Sequence, residues 1–238
     1  MSEERRGKSP WFYLGIGCVV FLIIGVIGMG TCGYGIWRYT EKVKKELTDP
    51  AARERKVLEV LGTSSMPEGY FAGVGLDVPM AMQVAILTDQ PVSVTDKDVD
   101  PRFKERGFLY THIPLKKADD PKLLDFFEAR TDDPQVLSDA GVNMDFGRGK
   151  ILARGVIEGP PRLLYAVQRG RAPMALASNQ LLSTLILIQC QQDSSLRVAI
   201  WTGPDPSAGG ELGAPVAAGS VADPAAIGTF LGQFNLCR

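Results

Sequence analysis

An uncharged stretch from Ser9 to Trp37 constrains this chain more than any other feature. Its core reads WFYLGIGCVVFLIIGVIGMGTCGYGIW, and no other segment is as long or as apolar. About 20 residues at 1.5 Å each cross a bilayer as one helix. The run therefore predicts a single transmembrane helix over 11–37, preceded by a short head, 1–10. A cleaved signal peptide would have an apolar core of roughly 7 to 15 residues, and this one is longer. Neither Cys18, preceded by Gly15, Ile16 and Gly17, nor Cys32, preceded by Met29, Gly30 and Thr31, sits in a lipoprotein cleavage pattern. Trp11, Phe12 and Tyr13 at one end, with Tyr34, Trp37 and Tyr39 at the other, suit the two membrane interfaces.

Small residues mark one side of this expected helix. Cys18, Gly25 and Cys32 recur every seven positions, and Gly28, Cys32 and Gly35 form a second stripe. Such faces let two helices approach closely, so these five residues are the candidate helix–helix contact and self-association is expected through them. The lipid bilayer is the first expected partner, and a membrane or envelope protein the second. Basic residues flank both ends, Arg5, Arg6 and Lys8 against Arg38, Lys42, Lys44 and Lys45, so they give no clear orientation. Cysteine usage decides it. Beyond the apolar run only Cys190 and Cys237 remain, one at an expected strand end and one beside the C-terminus. They form a candidate disulfide, which places the folded part outside the cytoplasm, in a periplasmic or extracellular setting.

The remaining residues, about 200, suit one domain and a linker. The formal charge of −1 gives no field that would draw nucleic acid. The expected division is a head at 1–10, the transmembrane helix at 11–37, a juxtamembrane linker with an amphipathic helix at 38–62, and a folded domain at 63–238. Asp49-Pro50 is a helix start, since Asp accepts free backbone donors and Pro fits the first turn. Val57, Leu58 and Leu61 supply an apolar side and Gly62 a C-cap. Strands are expected over 70–78, 80–88, 107–113, 150–157, 163–168, 181–190 and 196–201, with a helix over 119–129. Asp223-Pro224 repeats the helix-start pattern before Ala226, Ile227, Phe230, Leu231 and Phe234. The fold class is thus α+β: a transmembrane helix, then a mostly antiparallel sheet packed with two or three helices as two layers or a sandwich. This element order is loosely similar to the photosystem-extrinsic PsbP and Mog1 type. The resemblance covers order alone and carries no site residue.

Catalytic machinery is sparse. His112 is the sole histidine and lies in an expected strand, where it reads as an ordinary strand residue. Zinc needs three or four clustered ligands, and Ser–His or Cys–His chemistry would need that one imidazole. No metal or cofactor is expected. Asp145-Phe146-Gly147 spells a kinase triplet without the other kinase signatures, and Gly147-Arg148-Gly149-Lys150 is too short for a phosphate loop. Gly69, Gly73 and Gly75 read as bulge or close-approach positions. Asp96, Asp98 and Asp100 alternate as calcium ligands do, but Lys97, Arg102 and Lys104 interleave with them. With Asp132 and Asp133 they read as solvated loops. The expected function is a non-catalytic, membrane-anchored extracytoplasmic interaction or accessory domain. The alternatives are a carboxylate-based envelope enzyme using Asp145, Glu158 or Asp139, or a sensory, ligand-binding domain.

Overall fold

Alternation of side chains along seven strands decides the architecture, because it gives the sheet two apolar faces to cover. The computed structural model describes residues 47–94, 99–133, 135–139, 150–170, 174–176, 181–207 and 218–238. In chain order the elements are α1 (Pro50–Leu61), β1 (Phe71–Val78), β2 (Met82–Thr88), β3 (Ser93–Val94), β4 (Val99–Asp100), β5 (Gly107–Lys117), α2 (Pro121–Phe127), α3 (Gln135–Asp139), β6 (Lys150–Ile157), β7 (Arg162–Gly170), β8 (Leu181–Cys190), β9 (Asp193–Pro204) and α4 (Pro224–Leu231). The main sheet runs β1-β2-β5-β9-β8-β7-β6, and β3 pairs with β4 apart from it. Every pairing between these described strands is antiparallel.

The sheet consists of two meanders. β1, β2 and β5 form one, and β6 to β9 the other. They join where β5 pairs with β9, Phe108 opposite Trp201 and His112 opposite Arg197. Period-two alternation then sorts the core. Leu163, Tyr165 and Val167 of β7, Ile186 and Ile188 of β8, and Ala199 and Trp201 of β9 meet Val57, Val60 and Leu61 of α1 and Ile227, Phe230 and Leu231 of α4. The intervening Leu164, Ala166, Leu185, Leu187, Val198 and Ile200 meet Leu123, Phe126 and Phe127 of α2 and Leu137 of α3. Helices therefore lie on both faces of the sheet. On the α1/α4 face Trp201 stacks on Phe230 at 4.4 Å and donates from Nε1 to the Tyr70 hydroxyl at 2.8 Å.

Three helices start alike. Asp49, Asp120 and Asp223 each accept a hydrogen bond from the backbone N–H two residues on, with Pro in the first turn. Gly62 ends α1 in the left-handed conformation, at φ 66°. Gly75 of β1 lies directly beneath α1: a Cβ there would sit 2.7 Å from the Val57 nitrogen. That close approach seats the helix on the sheet.

The expected membrane architecture is corrected here. No helix among the described residues is long and apolar enough to cross a membrane. The longest described helix, α1, has 12 residues and spans about 18 Å, short of the roughly 30 Å hydrocarbon core. It also carries Arg53, Glu54, Arg55, Lys56 and Glu59. The run at 11–37 lies outside the described residues, as do Cys18, Gly25, Gly28, Cys32 and Gly35. Among the described residues the fold is an antiparallel sheet covered by helices, none of them able to cross a membrane. The single-pass localisation, the bilayer and envelope-protein partners and self-association through a membrane helix rested on that helix and do not hold, and with them fall the extracytoplasmic placement read from the cysteines and the expected membrane-anchored function.

Candidate functional site

One end of the sheet gathers the functional features. There the β6–β7 turn, the β8–β9 turn, α4 and the C-terminal tail enclose a groove of ≈ 470 Å³. That lies within the range of ligand pockets, roughly 300–1,000 Å³. Ile157, Pro160, Pro161 and Leu163 form one wall, and Leu231, Phe234 and Leu236 the other. Gln191, Gln192 and Asn235 supply amides, and Gly228 and Gly232 expose helix backbone. A Cβ added at Gly228 would meet no atom of the described residues within 4 Å, so its missing side chain leaves open space. Among the described residues the lining holds no Asp, Glu, Lys, Arg or His.

A disulfide between Cys190, at the end of β8, and Cys237 closes this end of the molecule, with Cα atoms 5.5 Å apart. Cys237 lines the groove. The tail is also held by Asn235, whose N–H donates to the Leu61 carbonyl at 3.0 Å, and by buried Phe234 and Leu236. A Cβ at Gly62 would sit 2.7 Å from the Asn235 carbonyl oxygen, so α1 and the tail touch backbone to backbone.

Beside the groove, on the same face of the sheet, lies a polar network. His112 of β5 sits between two strands: Nδ1 is 3.1 Å from Gln83 Oε1 and Nε2 is 2.8 Å from Ser195 Oγ. Gln83 donates to Asp77 at 3.3 Å, and Asp77 pairs with Lys56 of α1 at 3.5 Å. On the other side Ser195 Oγ donates to Asp193 at 2.7 Å, and Arg197 donates to both Ser195 Oγ and Asp193, each at 2.6 Å. Arg197 is 1% exposed, and its Nε has no hydrogen-bond partner among the described residues. Hydrogen bonds from Ser195 and Arg197 hold the Asp193 carboxyl well below the usual carboxylate range. Burial, then the Arg197 charge, lowers the His112 pKa from its usual 6.5. Burial pushes the Tyr110 hydroxyl up to about 12, partly opposed by Arg197.

Ser195 beside an imidazole invites comparison with a nucleophile and its base. A nucleophile must reach a substrate, however, and Ser195 is 6% exposed and outside the groove lining. Its hydroxyl is also enclosed by Arg197 and Asp193. Ser195 is therefore not placed to act as a nucleophile, and the network adjoins the groove as a hydrogen-bonded chain.

Of the residues singled out in the sequence, Cys190 and Cys237 are brought together. Glu158 is exposed on the β6–β7 turn and pairs with Arg162 at 3.4 Å. Asp139 is exposed at the end of α3, and Asp145 lies outside the described residues, as do Asp96, Asp98 and the 147–149 glycine turn. Asp100 is engaged by Arg102 at 2.6 Å, and Asp132 by Arg154 at 2.7 Å, each carboxylate matched to its own guanidinium. Among the described residues no three His, Cys, Asp or Glu side chains cluster as metal ligands. The groove and the network were not expected. Ser195 and Arg197 share a face because they are two apart, but their meeting with His112 depends on the β5–β9 register.

No family model matches the chain. No curated protein matches it either. Among solved structures, the Ran-binding protein Mog1p of Saccharomyces cerevisiae is similar over 59% of this chain and 70% of its own, at 14% identity and a TM-score of 0.33. A likeness that remote carries no conclusion about this chain's site or partners.

Proposed function

We propose that the folded domain is a binding module whose groove takes an uncharged, partly apolar segment of polypeptide. One observation carries this reading: among the described residues the groove is lined by apolar side chains and three amides, with no titratable group. An ionised ligand group entering it would lose water without gaining a charged partner, which is costly. An extended chain presents alternating N–H and C=O groups. Gln191, Gln192 and Asn235 each offer both a donor and an acceptor to match them. Catalysis is not supported by this lining, since acid–base chemistry needs a titratable group in reach of the substrate.

The test is selection from a random peptide library displayed on phage, with the groove-filled variant Gly228→Leu as counter-target. Thermal melts first establish that the variant folds. Enriched peptides should carry an uncharged core and lose at least tenfold in affinity for Gly228→Leu. Peptides that are charged throughout, that bind the variant equally, or that fail to enrich would sink the reading.

A further inference from the structure

The hydrogen-bond commitments around His112 are over-determined, and they allow only two proton arrangements. Asp77, as a carboxylate, only accepts, so the Gln83 amide nitrogen must face it. Gln83 Oε1 then faces His112 Nδ1 at 3.1 Å, and Nδ1 must carry a proton. In the neutral ring Nε2 is bare, and its partner at 2.8 Å, the Ser195 hydroxyl, must donate to it. The same hydroxyl lies 2.7 Å from Asp193 Oδ2, which also only accepts. One proton therefore serves two acceptors. When the ring gains a proton, Nε2–H donates to Ser195 Oγ and the hydroxyl turns wholly to Asp193. Arg197 donates to Ser195 Oγ and to Asp193 in either arrangement.

Asp193 adjoins the two-residue turn between β8 and β9, Gln191 and Gln192, which lines the groove. We propose that His112, Ser195 and Asp193 form a proton relay that sets the conformation of the Gln191–Gln192 wall of the groove. Asp193 keeps its bonds from Arg197 and from the Ser195 backbone N–H in both forms; the protonated form adds the whole of the Ser195 hydroxyl bond, and the neutral form shares that bond with Nε2. As regulation of binding, the relay rests on the reading of the groove as a peptide site.

Charged groups face the ring from each packed element. Asp77 of β1 lies beyond Gln83 of β2, with Lys56 and Glu59 of α1 behind Asp77. Arg197 and Asp193 of β9 lie on the other side, and Arg238 of the tail acts on the neighbouring Tyr110. Burial and Arg197 disfavour the imidazolium, Asp193 and Asp77 favour it, and the net direction is downward. The folded state thus binds fewer protons than the unfolded chain between its own lowered midpoint and about 6.5. His112's contribution to stability is complete above that window and is lost as pH falls through it.

Because His112 is the sole histidine, its ring is read without assignment ambiguity. Nitrogen-15 spectra of the full chain, titrated from pH 8 to 4, should show the Nδ1–H tautomer at high pH. The ring midpoint should lie below 6.5, and the Gln191, Gln192 and Asp193 amide shifts should move with that same midpoint. Ser195→Ala should abolish the amide response while the ring still titrates, and Ser195→Thr should retain it. An Nε2–H tautomer above the midpoint, still amides through it, or an unchanged amide response in Ser195→Ala would overturn the relay. These spectra need no ligand, so they judge the relay separately from the groove, which the peptide selection judges. A selected peptide whose affinity stayed constant across the ring midpoint would overturn the regulation while leaving the groove reading intact.

Discussion

Gly75 shows how one missing side chain sets the distance between layers. Its absent Cβ lets α1 come down on β1, where the atom would meet the Val57 nitrogen at 2.7 Å and the Lys56 carbonyl carbon at 2.9 Å. Both are backbone atoms within a helix, so neither can rotate away. Gly75→Ala should therefore cost about 1–3 kcal/mol, the range for overpacking, read as a shift in the urea midpoint. The sequence marks Gly73 and Gly75 as close-approach or bulge positions, and the bulge in β1 does lie between Ala72 and Val74. His112 is the contrary case. Its strand is visible in the sequence, but its partners are not. Gln83 is 29 residues away and Ser195 is 83, and only strand pairing brings them into reach.

Helix starts were the most readable elements, because capping is local chemistry. Asp49 accepts from the Ala51 N–H at 3.0 Å, just ahead of Pro50. Asp49→Ala should lower stability by about 1 kcal/mol, and circular dichroism melts of the full chain would show it. The cost should be nearly absent in Asp49→Ser, since Ser accepts the same bond. Helix α4 offers the opposite change. Gly228 lies inside it with open space where a Cβ would point, so Gly228→Ala should stabilise by about 0.5–1 kcal/mol. If that space is part of the binding groove, the same substitution should weaken peptide binding. A gain in stability without a change in binding would place the ligand elsewhere. The β8–β9 hairpin was also legible, from its apolar run and polar turn. Its two-residue turn is shorter than the sequence QQDSS suggests, because Asp193 to Ser195 continue the strand.

The two meanders and their covering helices are tied at two remote points. One is the β5–β9 pairing, which joins residues 78 to 95 positions apart. The other is the Cys190–Cys237 disulfide, with a sequence separation of 47. In the chain-entropy account a loop of that length is worth about 4 kcal/mol. Replacing both cysteines by serine, or reducing the bond, should therefore lower stability by up to that amount in urea titrations. The tail would then be held through contacts such as the Asn235 N–H bond and buried Phe234 and Leu236, and hydrogen exchange should rise first over 235–238. Equal stability with and without reductant would mean that these contacts suffice to order the tail.

The boundary between the two sources of information follows from range. Capping aspartates, period-two alternation, glycine positions and the candidate cysteine pair are written in neighbouring residues, and the sequence shows them directly. An apolar run also shows its length, yet 11–37 gave an architecture that the described residues do not contain. The sequence placed α1, α2 and α4, though not the short α3, without assigning them to faces, since which face a helix covers depends on handedness and loop path. The groove exists only because a turn from β6–β7, a turn from β8–β9 and the tail converge at one end of the sheet. The proton relay exists only because β2, β5 and β9 lie side by side in one register. A slip of one residue would turn His112 to the opposite face, and no local pattern in the chain records that choice.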